Sequence, residues 1–298
     1  MNGVIVLDKQ QGPPANKVLN QLKRLLGRPK MGFLGTLDPL ATGVLPVFCG
    51  KATKLIHEFE GLEKTYRVTV RLGQRTDTFD AEGTVIEERP LDGLMPERVR
   101  EALAGFEGNS EQAVPAFSAV KVGGVPAYRL ARAGQAVPER RRQVLLKDLT
   151  VEAIYLPELV FTVTCSAGTY MRSLAEDLGA VLGVGGHVTA LRRLACGNLF
   201  TLENSVTVVS IAKDVESGQD GFLLDPAQFL TQHHALTLQP SSEEAVRQGR
   251  AVDLSGESRG LQPLDKVKAL RAEGTLIAVG VVVQSDGGLE FQPGKVLV

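Results

Sequence analysis

Gly35-Thr36-Leu37-Asp38-Pro39-Leu40-Ala41-Thr42-Gly43 is the stretch on which the reading of this chain turns. Asp38 precedes a proline, which disfavours helical backbone at Asp38 and holds it extended. Glycines at 35 and 43 let the chain bend at both ends. Leu37 and Leu40 are apolar, so they would anchor the loop and keep bulk water away. The pattern displays one carboxylate on a stiff loop between apolar neighbours. By itself it also fits a turn-forming aspartate, because Asx turns before proline are common.

The flanks place this loop between regular elements. Upstream, the apolar run Val4–Leu7 ends in Asp8-Lys9, and Gly12-Pro13-Pro14 forces a turn. Val18, Leu22 and Leu25 then recur at helical spacing, which predicts a helix from Asn16 to Leu26, stopped by Gly27 and Pro29. Downstream, Val44–Phe48 reads as a buried strand. Lys64–Leu72 alternates, with Tyr66, Val68, Val70 and Leu72 on one face and Thr65, Arg67, Thr69 and Arg71 on the other. Thr84–Ile86 is its expected hairpin partner. Helices are expected over Pro96–Phe106, along Tyr170, Leu174 and Leu178, and from His187 to Leu194, with a strand at Val160–Cys165. Residues 115–145 read as a long basic excursion.

Strands and helices mix without a βαβ rhythm, so the fold class is α+β. A composition shift over residues 213–235 separates an expected domain of residues 1–232 from one of residues 233–298. The second is read as mostly β, from Lys266–Leu270, Leu276–Val283, Leu289–Phe291 and Lys295–Val298.

Composition narrows the function. Apolar residues are 43% of the 298, enough for a core, yet aromatics are only 5% and Trp is absent, so aliphatic packing must dominate. Net charge is −1, but residues 1–56 hold eight basic and two acidic side chains, and residues 121–150 hold seven and two. Such segments suit a phosphate-binding face, and equally an ordinary solvated surface. Cys49, Cys165 and Cys196 are three, widely spaced and without a CxxC, giving neither a disulfide framework nor a zinc site. No P-loop, GxGxxG fingerprint or cluster of metal ligands appears, so no cofactor and no metal are expected. The N-terminus lacks a basic n-region, and no apolar run nears the roughly 20 residues that span a bilayer. The expected setting is the cytoplasm, with no membrane partner.

The stretch Gly35-Thr36-Leu37-Asp38-Pro39-Leu40-Ala41-Thr42-Gly43-Val44-Leu45-Pro46-Val47-Phe48-Cys49-Gly50-Lys51-Ala52-Thr53-Lys54-Leu55 closely resembles the signature of the bacterial tRNA pseudouridine-55 synthases, the TruB family. The resemblance runs in order through Gly3-Val4-Ile5-Val6-Leu7-Asp8-Lys9, Lys64-Thr65-Tyr66-Arg67, Arg71 to Thr78, Pro115 to Lys121, Cys165 to Leu174 and Gly186 to Arg193. It implies a pseudouridine synthase catalytic fold, a mixed, largely antiparallel sheet with flanking helices. It also implies isomerisation of uridine 55 in the tRNA T-loop, with the base flipped out of its stack.

Carried over residue by residue, the resemblance makes Asp38 the catalytic carboxylate. Tyr66 becomes the ring on which uracil stacks, Arg172 the guanidinium paired with Asp38, Leu191 the apolar residue beneath the base and Tyr170 a pocket tyrosine. Each has a plainer reading: Tyr66, Leu191 and Tyr170 as core packing, and Arg172 as a surface i,i+4 partner of Glu176. Lys121, Arg129, Arg132, Arg140, Arg141 and Arg142 fall where the family has an RNA-gripping insertion, and Lys51 and Lys54 belong to the N-terminal basic segment; phosphate contact is their expected role. The C-terminal segment resembles a PUA domain, a small RNA-binding barrel. The expected partner is the tRNA T-stem-loop, bound by a monomer that needs no protein partner.

The pattern departs at Gly32-Phe33-Leu34-Gly35, where the family usually has Gly-His-Thr-Gly. Phe33 is still expected near the RNA, as a stacking or wedging ring without hydrogen bonds. Gln10 stands for the usual proline, and Pro14-Ala15 for hydroxyl residues. Two other readings stay open at this point: a tRNA-binding chaperone without chemistry, and a pseudouridine synthase for another RNA.

Overall fold

The computed structural model describes residues 1–254 and 260–298. In chain order the strands of the first part are β1 (Gly3–Lys9), β2 (Met31–Phe33), β3 (Thr42–Cys49), β4 (Lys64–Leu72), β5 (Gln74–Thr76), β6 (Val85–Glu88), β7 (Gly108–Ala113), β8 (Lys121–Val122), β9 (Val125–Pro126), β10 (Arg141–Tyr155), β11 (Glu158–Cys165), β12 (Gly186–Cys196) and β13 (Phe200–Thr201). Nine of them form one sheet in the order β1-β3-β12-β4-β11-β10-β7, with β2 added to β3 and β13 to β12. Every pairing is antiparallel except that of β12 with β3. The helices are α1 (Ala15–Leu25), α2 (Pro96–Ala104), α3 (Ala127–Arg132) and α4 (Met171–Leu182), with further helical segments downstream.

Burial explains the patterns. Ile5 and Leu7 of β1 belong to one core, and Val4 and Val6 to a second on the opposite side of the sheet. A strand covered on both faces needs a continuous apolar run, and each such buried side chain contributes roughly 1.5–3 kcal/mol. In β4, Tyr66, Val68, Val70 and Leu72 face the first core while Arg67 is exposed, as alternation requires. The parallel junction of β12 with β3 matches Arg193 to Gly43. A Cβ on Gly43 would sit 2.1 Å from the Arg193 carbonyl oxygen, and φ there is +97°, so only glycine fits the downstream end of the Asp38 loop.

Three expectations are corrected. His187–Leu194 is not a helix but the middle of β12, bonded to β4 and, through Arg192 and Arg193, to β3. Sheet pairing on both edges decided the outcome. Thr84–Ile86 does not pair with Lys64–Leu72; β6 pairs with β5, and the neighbours of β4 are β11 and β12. The excursion at 115–145 holds the small β8–β9 hairpin and α3, and its last arginines already belong to β10.

The C-terminal part is a five-stranded sheet ordered β14-β16-β17-β18-β15, from β14 (His234–Thr237), β15 (Val252–Asp253), β16 (Lys266–Leu270), β17 (Leu276–Ser285) and β18 (Gly288–Val296). The two strands read at 289–291 and 295–298 are one, β18. It has its own core around Leu236, Val267, Ile277 and Phe291, while Leu276, Val279 and Leu297 join the second core of the first part. Glu58, from the 3-10 helix Gly50–Phe59, pairs with Lys295 and, at 3.0 Å, with Lys266 across the same junction. Among the described residues no helix is long and apolar enough to cross a membrane.

Candidate active site

The loop from Gly35 to Gly43 is held from below by two buried cations. The Lys9 ammonium, fully buried at the end of β1, donates to the carbonyls of Ala41 (2.6 Å), Pro39 (3.2 Å) and Gln10 (3.1 Å). Burial pulls its pKa down to about 8, against the opposing attraction of Asp38 and Glu82. Arg193, 1% exposed, donates from Nε to the Val44 carbonyl (2.6 Å) and from Nη2 to that of Gly35 (3.0 Å), gripping both ends of the loop. Leu37, Leu40 and Ala41 are buried in the first core. A backbone turn also closes here, since the Asp38 carbonyl accepts from the Ala41 N–H at 3.1 Å. A loop fixed at so many points displays its carboxylate in one direction.

That direction is toward Arg172. Its Nε stands 3.0 Å from Asp38 Oδ2 and 3.6 Å from Asp80 Oδ2. Its Nη1 donates to the Thr78 carbonyl (3.0 Å) and its Nη2 to that of Phe117 (2.9 Å). The side chain is 5% exposed, whereas Asp38 is 39% exposed, so the guanidinium is a fixed wall and the carboxylate faces open space. Glu176, the alternative partner, is taken by Arg75 Nε at 2.7 Å. Buried Asp80 has no counterpart in the sequence reading, and Asp77 to Asp80 offers no signal beyond a polar turn.

Asp38 and Arg172 line a cavity of about 460 Å³, together with Tyr66, Tyr170, Leu191, Ser118 and Cys165. The room exceeds one uracil ring, which leaves space for the attached ribose. Tyr66 and Leu191 are each 9% exposed, flat and apolar surfaces side by side on β4 and β12. Burial pushes the Tyr66 hydroxyl up to about 12, with the nearby Arg193 acting the other way, so it stays neutral. Burial likewise pushes the Cys165 thiol up to about 11, which removes it as a nucleophile near neutral pH. Gln112, almost fully buried on β7, fixes Tyr170 by accepting from its N–H (2.8 Å) and donating to its carbonyl (3.0 Å).

The structure therefore gathers Asp38, Tyr66, Tyr170, Arg172 and Leu191 around one space. The other expected residues lie outside its lining. Phe33 is half-buried and packs against the first core. Lys51 and Lys54 are exposed on the 3-10 helix, and Lys54 donates to the Val296 carbonyl (2.8 Å), joining the C-terminal sheet. Lys121, Arg129 and Arg132 are exposed on the β8–β9 and α3 excursion, with Arg132 over the Tyr128 ring. Arg140 donates to the Lys121 carbonyl, and Arg141 pairs with Glu139 and Glu111. Arg142 stands 5.6 Å from the Tyr170 ring centre and donates to the Gly168 carbonyl, which places it at the cavity's rim. Among the described residues no group of His, Cys, Asp or Glu is arranged to hold a metal ion.

Comparison with known proteins agrees with this arrangement. A family model described as the N-terminal domain of TruB family pseudouridylate synthases matches residues 23–171. Another, described as the tRNA pseudouridylate synthase B C-terminal domain, matches residues 172–227. A tRNA pseudouridine synthase B from Burkholderia lata is 42% identical over 271 residues, 91% of this chain and 82% of that protein. One from Geobacter sulfurreducens is 39% identical over 284 residues, 94% and 93% of the two chains. In fold, the chain is similar to one in an H/ACA RNP bound to a substrate RNA, with TM-score 0.72, 24% identity, and coverage of 99% and 85%. It is also similar to one in a Cbf5-Nop10-Gar1 complex, with TM-score 0.71, 25% identity and the same coverage.

Proposed function

The chain belongs to the TruB family of pseudouridylate synthases, and on that premise we propose that it converts uridine 55 of the tRNA T-loop to pseudouridine. The observation that carries the assignment is the Asp38–Arg172 pair at 3.0 Å inside a cavity floored by Tyr66 and Leu191.

The target base leaves its stack at a cost of a few kcal/mol. Stacking on Tyr66, worth about 1–3 kcal/mol, offsets much of that. Leu191 supports the base, Tyr170 closes one side, and the ribose is brought to the Asp38 carboxylate. Arg172 fixes that carboxylate's direction, so no reorientation is needed as the reaction begins. Uracil separates from C1′ at N1 and rejoins through C5, an exchange that consumes no redox equivalent. Lys121, Arg129, Arg132, Arg140 and Arg142 supply phosphate contacts around the cavity mouth, adding affinity and little sequence choice. Arg141, already paired with two glutamates, contributes least. Lys51, Lys54 and Phe33 sit away from the cavity and serve RNA contact at a distance, or packing.

Residues 1–232 form the catalytic domain and residues 233–298 a PUA-like module that extends the RNA surface. The protein works as a cytoplasmic monomer without a protein partner or cofactor. The test is incubation with an unmodified tRNA transcript, followed by mapping of pseudouridine by carbodiimide-dependent primer stops. One stop, at position 55, is expected. No stop, or stops only in other RNAs from the same cell, contradicts the assignment.

A further inference from the structure

The cavity holds two cations that the account above does not use at the base. Lys64 is 7% exposed and Arg193 is 1% exposed, and both line the same space as Asp38 and Tyr66. Lys64 donates to the carbonyls of Leu62 (2.5 Å) and Glu60 (3.4 Å), and Arg193 to those of Val44, Gly35 and Leu34. Among the described residues neither forms an ion pair with a carboxylate; the Glu60 carboxylate is paired with His57 at 2.9 Å. The two meet at Gly35, where an added methyl would lie 3.2 Å from Arg193 Nη1 and 3.9 Å from Lys64 Cε.

Burying one charge without a counter-charge is costly, and placing two like charges together compounds the cost. The mutual repulsion is visible at Lys64, whose pKa is lowered first by burial, with Arg193 adding to the effect and Cys196, Cys165 and Glu60 opposing it. Carbonyl dipoles compensate only in part. Such a pair fits a group that becomes negative inside the cavity.

We propose that Lys64 and Arg193 stabilise the uracil ring while it carries the electron pair of its broken bond to ribose. The inference rests on the reading of this cavity as the uridine site. When the C1′–N1 bond opens, its electron pair leaves with the base, whose negative charge spreads over N1, O2, O4 and C5, and C1′ is left as an oxocarbenium ion facing the Asp38 carboxylate. After the ring turns, the pair at C5 forms the C1′–C5 bond, the C5 proton passes to water and N1 takes a proton from water, so nothing is oxidised or reduced. Lys64 and Tyr66 are two residues apart on one strand, so they share a face. Arg193 pairs across from Tyr66 on β12. A base lying on Tyr66 with its ribose at Asp38 thus has its carbonyl edge at both cations. Lys64 keeps one N–H not spent on the carbonyls of Glu60 and Leu62, and Arg193, which also bonds the Tyr66 hydroxyl, spends only Nε and Nη2 on carbonyls. Gly35 keeps the space between them open.

The plainer role of Lys64 is to cap the 3-10 helix, so the experiment separates the two. Lys64→Met, Lys64→Gln and Lys64→Arg are compared with the wild type by tRNA filter binding, thermal unfolding and single-turnover tritium release from the uracil C5. For the neutral variants the expected result is a rate lower by about a hundredfold with affinity within about twofold, and for Lys64→Arg, recovery of most of the rate. With 5-fluorouridine at the target, whose base bears negative charge more readily, nucleoside analysis should show a smaller defect. If the wild type releases tritium and either folded neutral variant does so within about twofold of it, the inference fails while the function stands. A rate defect matched by lost affinity, or equal for both bases, also overturns it. A wild type that releases no tritium overturns the uridine-site reading itself.

Discussion

Arg172, at the head of α4, places Nε 3.0 Å from Oδ2 of Asp38 while its two terminal nitrogens are committed to the carbonyls of Thr78 and Phe117. The guanidinium therefore joins α4 to three other chain segments, since Asp80, at 3.6 Å, belongs to the same turn as Thr78. A lysine reaches no more than part of that set, because it has neither the planar fork nor the length. Arg172→Lys is expected to lower kcat by about a hundredfold with a small change in tRNA affinity. Arg172→Met leaves buried Asp80 without its counter-charge, held only by the Thr78 hydroxyl and the Glu82 N–H, and is expected to cost about 3 kcal/mol in urea unfolding. Near-wild-type kcat for Arg172→Lys would show that the pairing is incidental.

Tyr66 separates stacking from its hydroxyl. Tyr66→Phe keeps the ring over the cavity floor, and single-turnover kinetics should show most of the activity retained. Tyr66→Ala removes the stacking surface and leaves a void, so transition-state stabilisation should fall by about 1–3 kcal/mol in kcat/KM. Equal loss in both variants would move the role from the ring to the oxygen beside Arg193.

Lys9 gives a pH-dependent signature of stability. Folded, it loses its proton at about 8, against an ordinary value of 10.5. Between those values the unfolded chain binds more protons, so stability rises with pH through the window. The buried ammonium's penalty is present in full below pH 8 and relieved by about pH 10.5. Lys9→Met has no such group. Urea midpoints taken from pH 7 to 10 should show the wild type gaining about 1–3 kcal/mol relative to the variant. A constant difference would mean that Lys9 titrates alike in both states.

Glu58 ties the two sheets together. Burial alone would raise its carboxyl, but Lys295 and Lys266 together pull it below the ordinary value. Glu58→Gln leaves Lys295 facing a neutral group, at a cost of about 1–2 kcal/mol once the half-exposed Lys266 is discounted. Hydrogen exchange in β16 and β18 should accelerate, with β4 and β12 unchanged. Unchanged exchange in β16 and β18 would place the junction's stability in its apolar contacts instead.

The loop and strand that frame the site were legible from local signals, whereas the roles of Asp38, Tyr66, Tyr170, Arg172 and Leu191 came from the family resemblance. Asp38-Pro39 between two glycines encodes a stiff loop, and the strict alternation around Tyr66 encodes a strand with one inward face. What stayed hidden depends on partners remote in sequence. Asp80 acts by reaching the Arg172 guanidinium, and Gln112, Lys9 and Arg193 by reaching backbone groups on other elements, and nothing next to them in the chain announces it. The helix expected at His187–Leu194 failed for the same reason: β12 is a strand because β4 and β3 flank it. Phe33, placed near the RNA from its position before the loop, is half-buried and packs against the first core, since β2 pairs with β3 and brings that side chain to the apolar layer.

Asp38→Asn is the most direct test of the central claim, because it keeps the side chain's shape and removes only the charged oxygen. The measurement is tritium release from the uracil C5 of unmodified tRNA at saturating enzyme, alongside tRNA binding by filter retention. Binding within a few-fold of wild type with no detectable release is the predicted result. Release at a rate comparable to wild type would contradict a catalytic role for the Asp38 carboxylate.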